Sequence, residues 1–176
     1  MVEEFDDNIF PQAYLLTFRS YGTWLHGDKR GSVDRRKFNR YGAAGIKVNS
    51  GLENAERKKI QVSAISFNKK QRSVIERSIK EVCVFRNYRL FAVNVRSNHI
   101  HCVVSSNSRP EPVMNAFKSY ATRNLRKLNL ISEDRKIWSR HGSTRYLWKD
   151  HHVSLAMDYV LYCQDDIFPA FNDPEK

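Results

Sequence analysis

The sequence predicts an α+β protein of the ferredoxin-like type, built on a split β-α-β arrangement. Segments typical of strands and helices alternate in the order strand, helix, strand, strand, helix, strand, helix. The 176 residues and 41% hydrophobic content suit one compact domain. Such an order favours a mainly antiparallel sheet with helices on one face and a C-terminal helix after it. We therefore treat residues 1–176 as a single domain.

The first half of the chain predicts one strand, a long insertion and one helix. Residues 13–22, AYLLTFRSYG, are rich in β-branched, aromatic and aliphatic residues and end at a glycine, which predicts a strand. Residues 22–62 are basic and rich in glycine, which indicates an irregular insertion. The segment 68–87 has helical periodicity, and Asn68 with Gln71 three residues later predicts a capping box.

The second half predicts a hairpin, two helices and a short strand. Residues 88–97 and 98–106 read as two strands joined by a turn. Residues 110–130 open with prolines and an acid and close with basic residues, as a helix does. The buried side of this helix is expected to include Leu128, and Lys118 is expected to lie off it. A loop into a short strand is expected over 136–149, and a last helix over 151–166.

The charge of the chain points to a polyanionic partner. Its formal net charge is +11 and its pI is about 9.7, which favours nucleic acid. No run of 18 apolar residues predicts a membrane span. Aromatic residues interleaved with cations in the insertion are typical of a single-strand groove, although a solvated loop is the alternative. The candidate DNA-binding residues are Trp24, Arg35, Arg36, Arg40, Arg123, Arg126, Arg140, His141 and Arg145.

The cysteines predict a reduced, cytoplasmic protein. Three widely spaced cysteines without a C-x-x-C pair are typical of buried thiols. Cys102 follows His101 directly, so it is expected on the opposite side of its strand.

The stretch RSNHIHCVVSS, residues 96–106, carries the clearest candidate for chemistry. His99 and His101 are two residues apart in a predicted strand, so both imidazoles point to one face. Two imidazoles can bind one divalent metal and leave positions open for a substrate phosphate. If oxygen atoms supply the remaining ligands, the site would suit Mg²⁺ or Mn²⁺. The alternative is a pair of partly exposed histidines with ordinary hydrogen bonds.

The last predicted helix offers a nucleophile and a further ligand. Gln164 lies beside the apolar stripe of this helix, where its amide needs a partner, and a metal is one candidate. The hydroxyl of Tyr159 is a potential nucleophile. Tyr162 is the alternative nucleophile, and packing is the alternative role for both tyrosines.

These residues together resemble a known family. Asn98-His99-Ile100-His101 resembles the histidine–hydrophobe–histidine (HUH) signature of single-tyrosine transposases of the insertion-sequence 200 type. WSRHGSTRYLW followed by DYVLYCQ is similar to the end of their catalytic domain, especially in the REP-associated tyrosine transposases.

The resemblance implies a metal-dependent transposase or endonuclease acting on single-stranded or hairpin DNA. In such enzymes a tyrosine becomes joined to the 5′ phosphate, and the free 3′ hydroxyl can later rejoin strands. By position, Tyr159 would be the nucleophile, and His99, His101 and Gln164 would hold Mg²⁺ or Mn²⁺. The expected location is the cytoplasm, with activity at the nucleoid.

The spacing of Tyr159 and Gln164 departs from the family pattern. Many relatives have the amide ligand four residues after the tyrosine, whereas Gln164 is five residues on. Five residues rotate by about 140° in a regular α-helix, so the two side chains would diverge. Three explanations stay open: a π-bulge realigns them, a homodimer builds each site from two chains, or Gln164 is not a ligand and Tyr162 is also a candidate nucleophile.

Two other functions remain as alternatives. A domesticated relative could bind structured DNA or RNA without cutting it. A ferredoxin-like regulator could bind a small ligand, and its function would then be insensitive to salt.

Overall fold

The computed structural model describes residues 11–23 and 63–162. Within these ranges the chain forms β1 (Ala13–Arg19), α1 (Lys69–Phe85), β2 (Arg89–Val95), β3 (His99–Ser105), α2 (Pro110–Lys127), β4 (Ser143–Leu147) and α3 (Asp150–Tyr162). The strands form one sheet in the order β2-β3-β1-β4, and each neighbouring pair is antiparallel. This is the ferredoxin-like topology, so the predicted fold class is confirmed. Nearly all of the insertion predicted at 22–62 lies outside the described residues.

The sheet separates two hydrophobic clusters because successive strand residues point to opposite faces. Leu16 and Phe18 of β1 belong to the larger cluster, which also contains the buried stripes of α1 and α2. Leu15 of β1 and Val103 of β3 belong to the smaller cluster, together with Val160 of α3. Helices α1 and α2 therefore share one face, as predicted, and α3 covers the other.

The local signals of the helices agree with the structure except at two positions of α2. The capping box between Asn68 and Gln71 is present, with both hydrogen bonds at 2.9 Å. Leu128 was expected on the buried side of α2, but the helix ends at Lys127 and Leu128 is 45% exposed. Lys118, expected off the buried stripe, is itself buried, and its Nζ donates to the carbonyl of Ser139 at 3.0 Å.

The described helices and cysteines can be compared with the predictions about membrane spans and buried thiols. No helix in the two described ranges has the length and apolar character that crossing a membrane requires. Cys83 and Cys102 are buried and free, and Cys102 lies in the larger cluster, on the opposite sheet face from His101. Cys163 is outside the described residues.

Candidate active site

Strand β3 presents two imidazoles on the face that α3 covers. Ile100 and Cys102 of β3 point into the larger cluster, so His99 and His101 project from the other face. The two ring centroids are 4.8 Å apart and the ring planes are inclined at 77°. His101 is buried, whereas His99 is partly exposed. The prediction that both imidazoles share one face is confirmed.

Both imidazoles have their Nδ1 atoms in short hydrogen bonds. His99 Nδ1 is 2.6 Å from Asn98 Oδ1, and because an amide oxygen only accepts, the ring nitrogen donates. His101 Nδ1 is 2.7 Å from Thr17 Oγ1, across the β1–β3 ladder. Donation from His99 Nδ1 leaves the lone pair of that ring on Nε2, which is the tautomer that a metal-binding histidine uses. The Thr17 hydroxyl can accept the same kind of bond from His101 Nδ1.

The protonation state of His101 suits a ligand. Burial, and after it the neighbouring positive charges of His99, Arg19 and Arg96, lower the pKa of His101 from 6.5 to about 3. The ring is therefore neutral at physiological pH, as metal ligation requires.

Helix α3 brings Tyr159 to the histidine pair. The Tyr159 ring lies edge-on to the His101 ring, with the centroids 5.4 Å apart and the planes at 77°. The tyrosine is only 6% exposed and belongs to the smaller cluster. Asn94 of β2 donates from Nδ2 to the Val160 carbonyl at 3.0 Å, which fastens this turn of α3 to the sheet.

The two other residues predicted on α3 stand apart from this contact. Tyr162 is 78% exposed at the end of the helix, and the tyrosine ring that contacts His101 is that of Tyr159. Gln164 lies outside the described residues, and so does the end of the turn in which a π-bulge would realign it with Tyr159.

The donor set fits a metal with a partly oxygen-based ligand shell. Within residues 11–23 and 63–162, no group of three or more His, Cys, Asp or Glu side chains is arranged to hold a metal. Two imidazoles with oriented rings would supply part of the shell, and amide, water or phosphate oxygens would supply the rest. Such a set suits Mg²⁺ or Mn²⁺ better than structural zinc, which takes four protein ligands.

The predicted DNA-binding residues fall into separate groups. Arg123 and Arg126 line a groove of about 650 Å³ on α2, with Lys118 and Trp138 beside them. We call this the α2 groove. It lies on the sheet face opposite the histidines, because α2 packs on the larger cluster. The Arg123 guanidinium stacks 4.3 Å above a tyrosine ring, and Arg126 Nε is 3.5 Å from the Glu133 carboxylate.

The remaining members of that predicted set do not join the α2 groove. Arg140 and His141 are exposed in the turn before β4, where His141 has a φ of 72°. Arg145 of β4 is paired with Leu15 in the sheet, so it points to the face of α3. Trp24, Arg35, Arg36 and Arg40 lie outside the described residues.

Sequence reasoning missed the side chains that hold the histidines and α3. Thr17 and Asn94 are the residues opposite His101 on its two neighbouring strands. The available signal was a polar residue in an apolar strand, in LLTFR and in AVNV. Their partners depend on strand register, which the sequence alone does not provide.

Comparisons with known proteins agree with this architecture. The family model described as Transposase IS200 like matches residues 58–160, more than half of the chain. A solved REP-associated tyrosine transposase bound to a REP hairpin is similar in structure, with a TM-score of 0.50 and 13% sequence identity. The match covers 91% of this chain and 70% of that one, and at this identity it shows a shared fold. No curated protein sequence matches the chain.

Proposed function

Because the chain belongs to the IS200-like transposase family, we propose that it cleaves and rejoins single-stranded DNA through a 5′-phosphotyrosine intermediate with a divalent metal. The observation that carries this proposal is the contact between Tyr159 and His101, which puts a phenol next to paired imidazoles. The common fold with a hairpin-bound transposase supports single-stranded or hairpin DNA as the substrate.

In the proposed reaction, Tyr159 is the nucleophile. Its phenol oxygen bonds to the scissile phosphorus while the bond from phosphorus to the 3′ oxygen breaks. The phenol gives up its proton to solvent, and the departing 3′ oxygen takes one up. A 3′ hydroxyl attacking the phosphotyrosine reverses these changes and joins strands. No nucleotide cofactor is needed, because the phosphotyrosine keeps the energy of the broken bond.

The other residues of the proposed site would bind the metal and orient its ligands. His99 and His101 would hold Mg²⁺ or Mn²⁺ through their Nε2 atoms, with Gln164 as the proposed third ligand. The metal would supply polarisation of the phosphate. Thr17 and Asn98 fix the imidazoles.

A covalent adduct assay tests this proposal. Labelled hairpin DNA with a single-stranded flank is incubated with protein and Mn²⁺, then separated on a denaturing gel. We expect the wild type to form an adduct and the Tyr159→Phe variant to form none. The matched control is Tyr162→Phe, which removes a hydroxyl three residues away and should retain the adduct. An undiminished adduct in Tyr159→Phe, or full activity in EDTA, would refute the assignment.

The α2 groove supports a second candidate, a domesticated binder of structured DNA or RNA that does not cut. The groove gathers Lys118, Arg123 and Arg126 beside Trp138, and it requires neither the histidines nor Tyr159. A wild type that binds the hairpin tightly but never forms an adduct would favour this function. A cytoplasmic location at the nucleoid is part of both proposals.

A further inference from the structure

The face of the sheet that carries His99 also carries an arginine directly beside it on β1. Arg19 and His99 are opposite one another in the β1–β3 register. The next pair along is hydrogen-bonded, because the Ser20 N–H donates to the Asn98 carbonyl at 3.0 Å. Hydrogen-bonded and non-hydrogen-bonded pairs alternate along an antiparallel ladder, so Arg19 and His99 are a non-hydrogen-bonded pair. Side chains in such a pair are at their closest, with Cα atoms about 4.5 Å apart.

A second arginine stands on the other side of the same histidine. Val95 pairs with Ile100, and one step further the Arg96 N–H donates to the His99 carbonyl at 2.8 Å. Opposed residues of an antiparallel pair project to the same face. His99 is therefore flanked by an arginine on each side, Arg19 at the end of β1 and Arg96 directly after β2. We call this set, Arg19, His99 and Arg96, the arginine row.

The arginine row lies at the accessible border of the site. The next row inward holds Thr17 and His101, which are 5% and 4% exposed, and Tyr159 packs on it. All three members of the arginine row are partly exposed. A ligand arriving from solvent would thus meet the arginines before it reached the buried imidazole.

The charge of the row indicates what that ligand is. Two guanidinium groups stand beside residues that suit a divalent cation, and their positive charge is among the causes that lower the pKa of His101. Positive charge beside the imidazoles weakens the binding of a cation, and a bound anion offsets that effect. Guanidinium groups bind phosphate oxygens in a bidentate geometry, so a phosphodiester is the anion that fits.

We propose that Arg19 and Arg96 bind the nonbridging oxygens of the scissile phosphodiester from either side of His99. This inference rests on the proposed function and identifies two residues that bind the DNA substrate at the cleavage position. The arginines hold the phosphate over the imidazole pair and within reach of the phenol, and they offset charge that develops on the phosphoryl oxygens during attack.

The first test measures binding without metal and without chemistry. Tyr159→Phe protein in EDTA is titrated with fluorescent single-stranded DNA at several salt concentrations. Adding Arg19→Gln or Arg96→Gln should weaken binding about tenfold and reduce the slope of log K against log salt by about 0.7. The matched control is Arg89→Gln, which removes the same charge from the far end of β2 and should leave the slope unchanged. Equal effects of all three substitutions would overturn the inference.

The second test measures the adduct on DNA with one neutral methylphosphonate at the cleavage position. On ordinary DNA, Arg19→Gln should form adduct roughly tenfold more slowly than the wild type. On one methylphosphonate diastereomer, the wild type should slow to the rate of the variant, because the oxygen that Arg19 contacts is gone. An unchanged ratio on both diastereomers contradicts the inference but not the function. A wild type without any adduct contradicts the proposed function, and the binding test still decides whether the arginines bind phosphate.

Discussion

The ring of Tyr159 meets the ring of His101 edge-on, with centroids 5.4 Å apart. Such contacts contribute about 1 kcal/mol beyond the burial of their area. The same contact fastens α3 to the sheet and sets the phenol beside the histidine pair. The stability of α3 on the sheet and the position of the proposed nucleophile therefore both depend on this ring contact. Substitutions that keep the ring but remove the hydroxyl can separate the two roles.

Tyr159→Phe and Tyr159→Ala should differ in stability although both lose the adduct. The phenylalanine ring keeps the contact with His101, so we expect a change in unfolding free energy below about 1 kcal/mol. Alanine leaves a cavity in the smaller cluster and should cost about 3 kcal/mol. Urea unfolding followed by circular dichroism measures both. Equal losses would mean that the ring contributes nothing to packing.

Thr17→Val should weaken metal binding more than folding. The hydroxyl that orients His101 is lost while the shape of the side chain is kept, so we expect a decrease in Mn²⁺ affinity of about tenfold or more. The cost in stability should be about 1 kcal/mol. Calorimetric titration with Mn²⁺ measures the affinity. The control is Thr144→Val on β4, which lies opposite Leu16 and so on the other face; a matching loss there would argue against the role of Thr17.

Acid should destabilise the metal-free protein through His101. The pKa of this ring is about 3 in the folded chain against 6.5 ordinarily. Between those values the unfolded chain binds one proton more than the folded chain, so stability falls as the pH drops below 6.5. From pH 7 to pH 5 we expect a loss of about 2 kcal/mol from this group. Urea unfolding in EDTA should show a smaller loss for His101→Gln, and identical pH profiles would contradict the expectation.

Gly142→Ala should disturb the site from behind the sheet. A Cβ at this position would lie 2.6 Å from the Thr17 carbonyl oxygen and 2.5 Å from Met114 Sδ. We expect a destabilisation of about 2 kcal/mol and a weaker adduct, because Thr17 must shift. The same substitution in a Met114→Ala background should keep most of its cost, since the backbone oxygen remains. If Gly142→Ala caused no loss of stability in the Met114→Ala background, the clash would involve the Met114 side chain alone.

Mixing two inactive variants tests whether each site belongs to one chain. Tyr159 contacts His101 of its own chain. We therefore expect that Tyr159→Phe and His99→Ala proteins, refolded together, form no adduct. Recovered adduct would show that a homodimer exchanges α3 between protomers, and co-purification of two differently tagged variants would verify that mixed dimers formed.

The sequence could predict features that repeat with a regular period. Alternation along β3 placed His99 and His101 on one face, and the order of elements led to the ferredoxin-like sheet. Features that depend on register could not be predicted. Thr17 and Asn94 meet His101 only because of how three strands align. Burial of Lys118 was also missed, because a helical stripe shows which face is apolar and not that nearby carbonyls will receive an ammonium group.

The unequal size of the two hydrophobic clusters has a consequence for motion. Helix α3 is held by the smaller cluster and by the bond from Asn94 to the Val160 carbonyl. Its release from the sheet would leave the larger cluster intact, so it should require less free energy than global unfolding. Amide hydrogens of α3 should then exchange with deuterated solvent sooner than those of α1 and α2, and excursions of this one helix would carry the phenol away from the imidazoles while the rest of the fold stays closed.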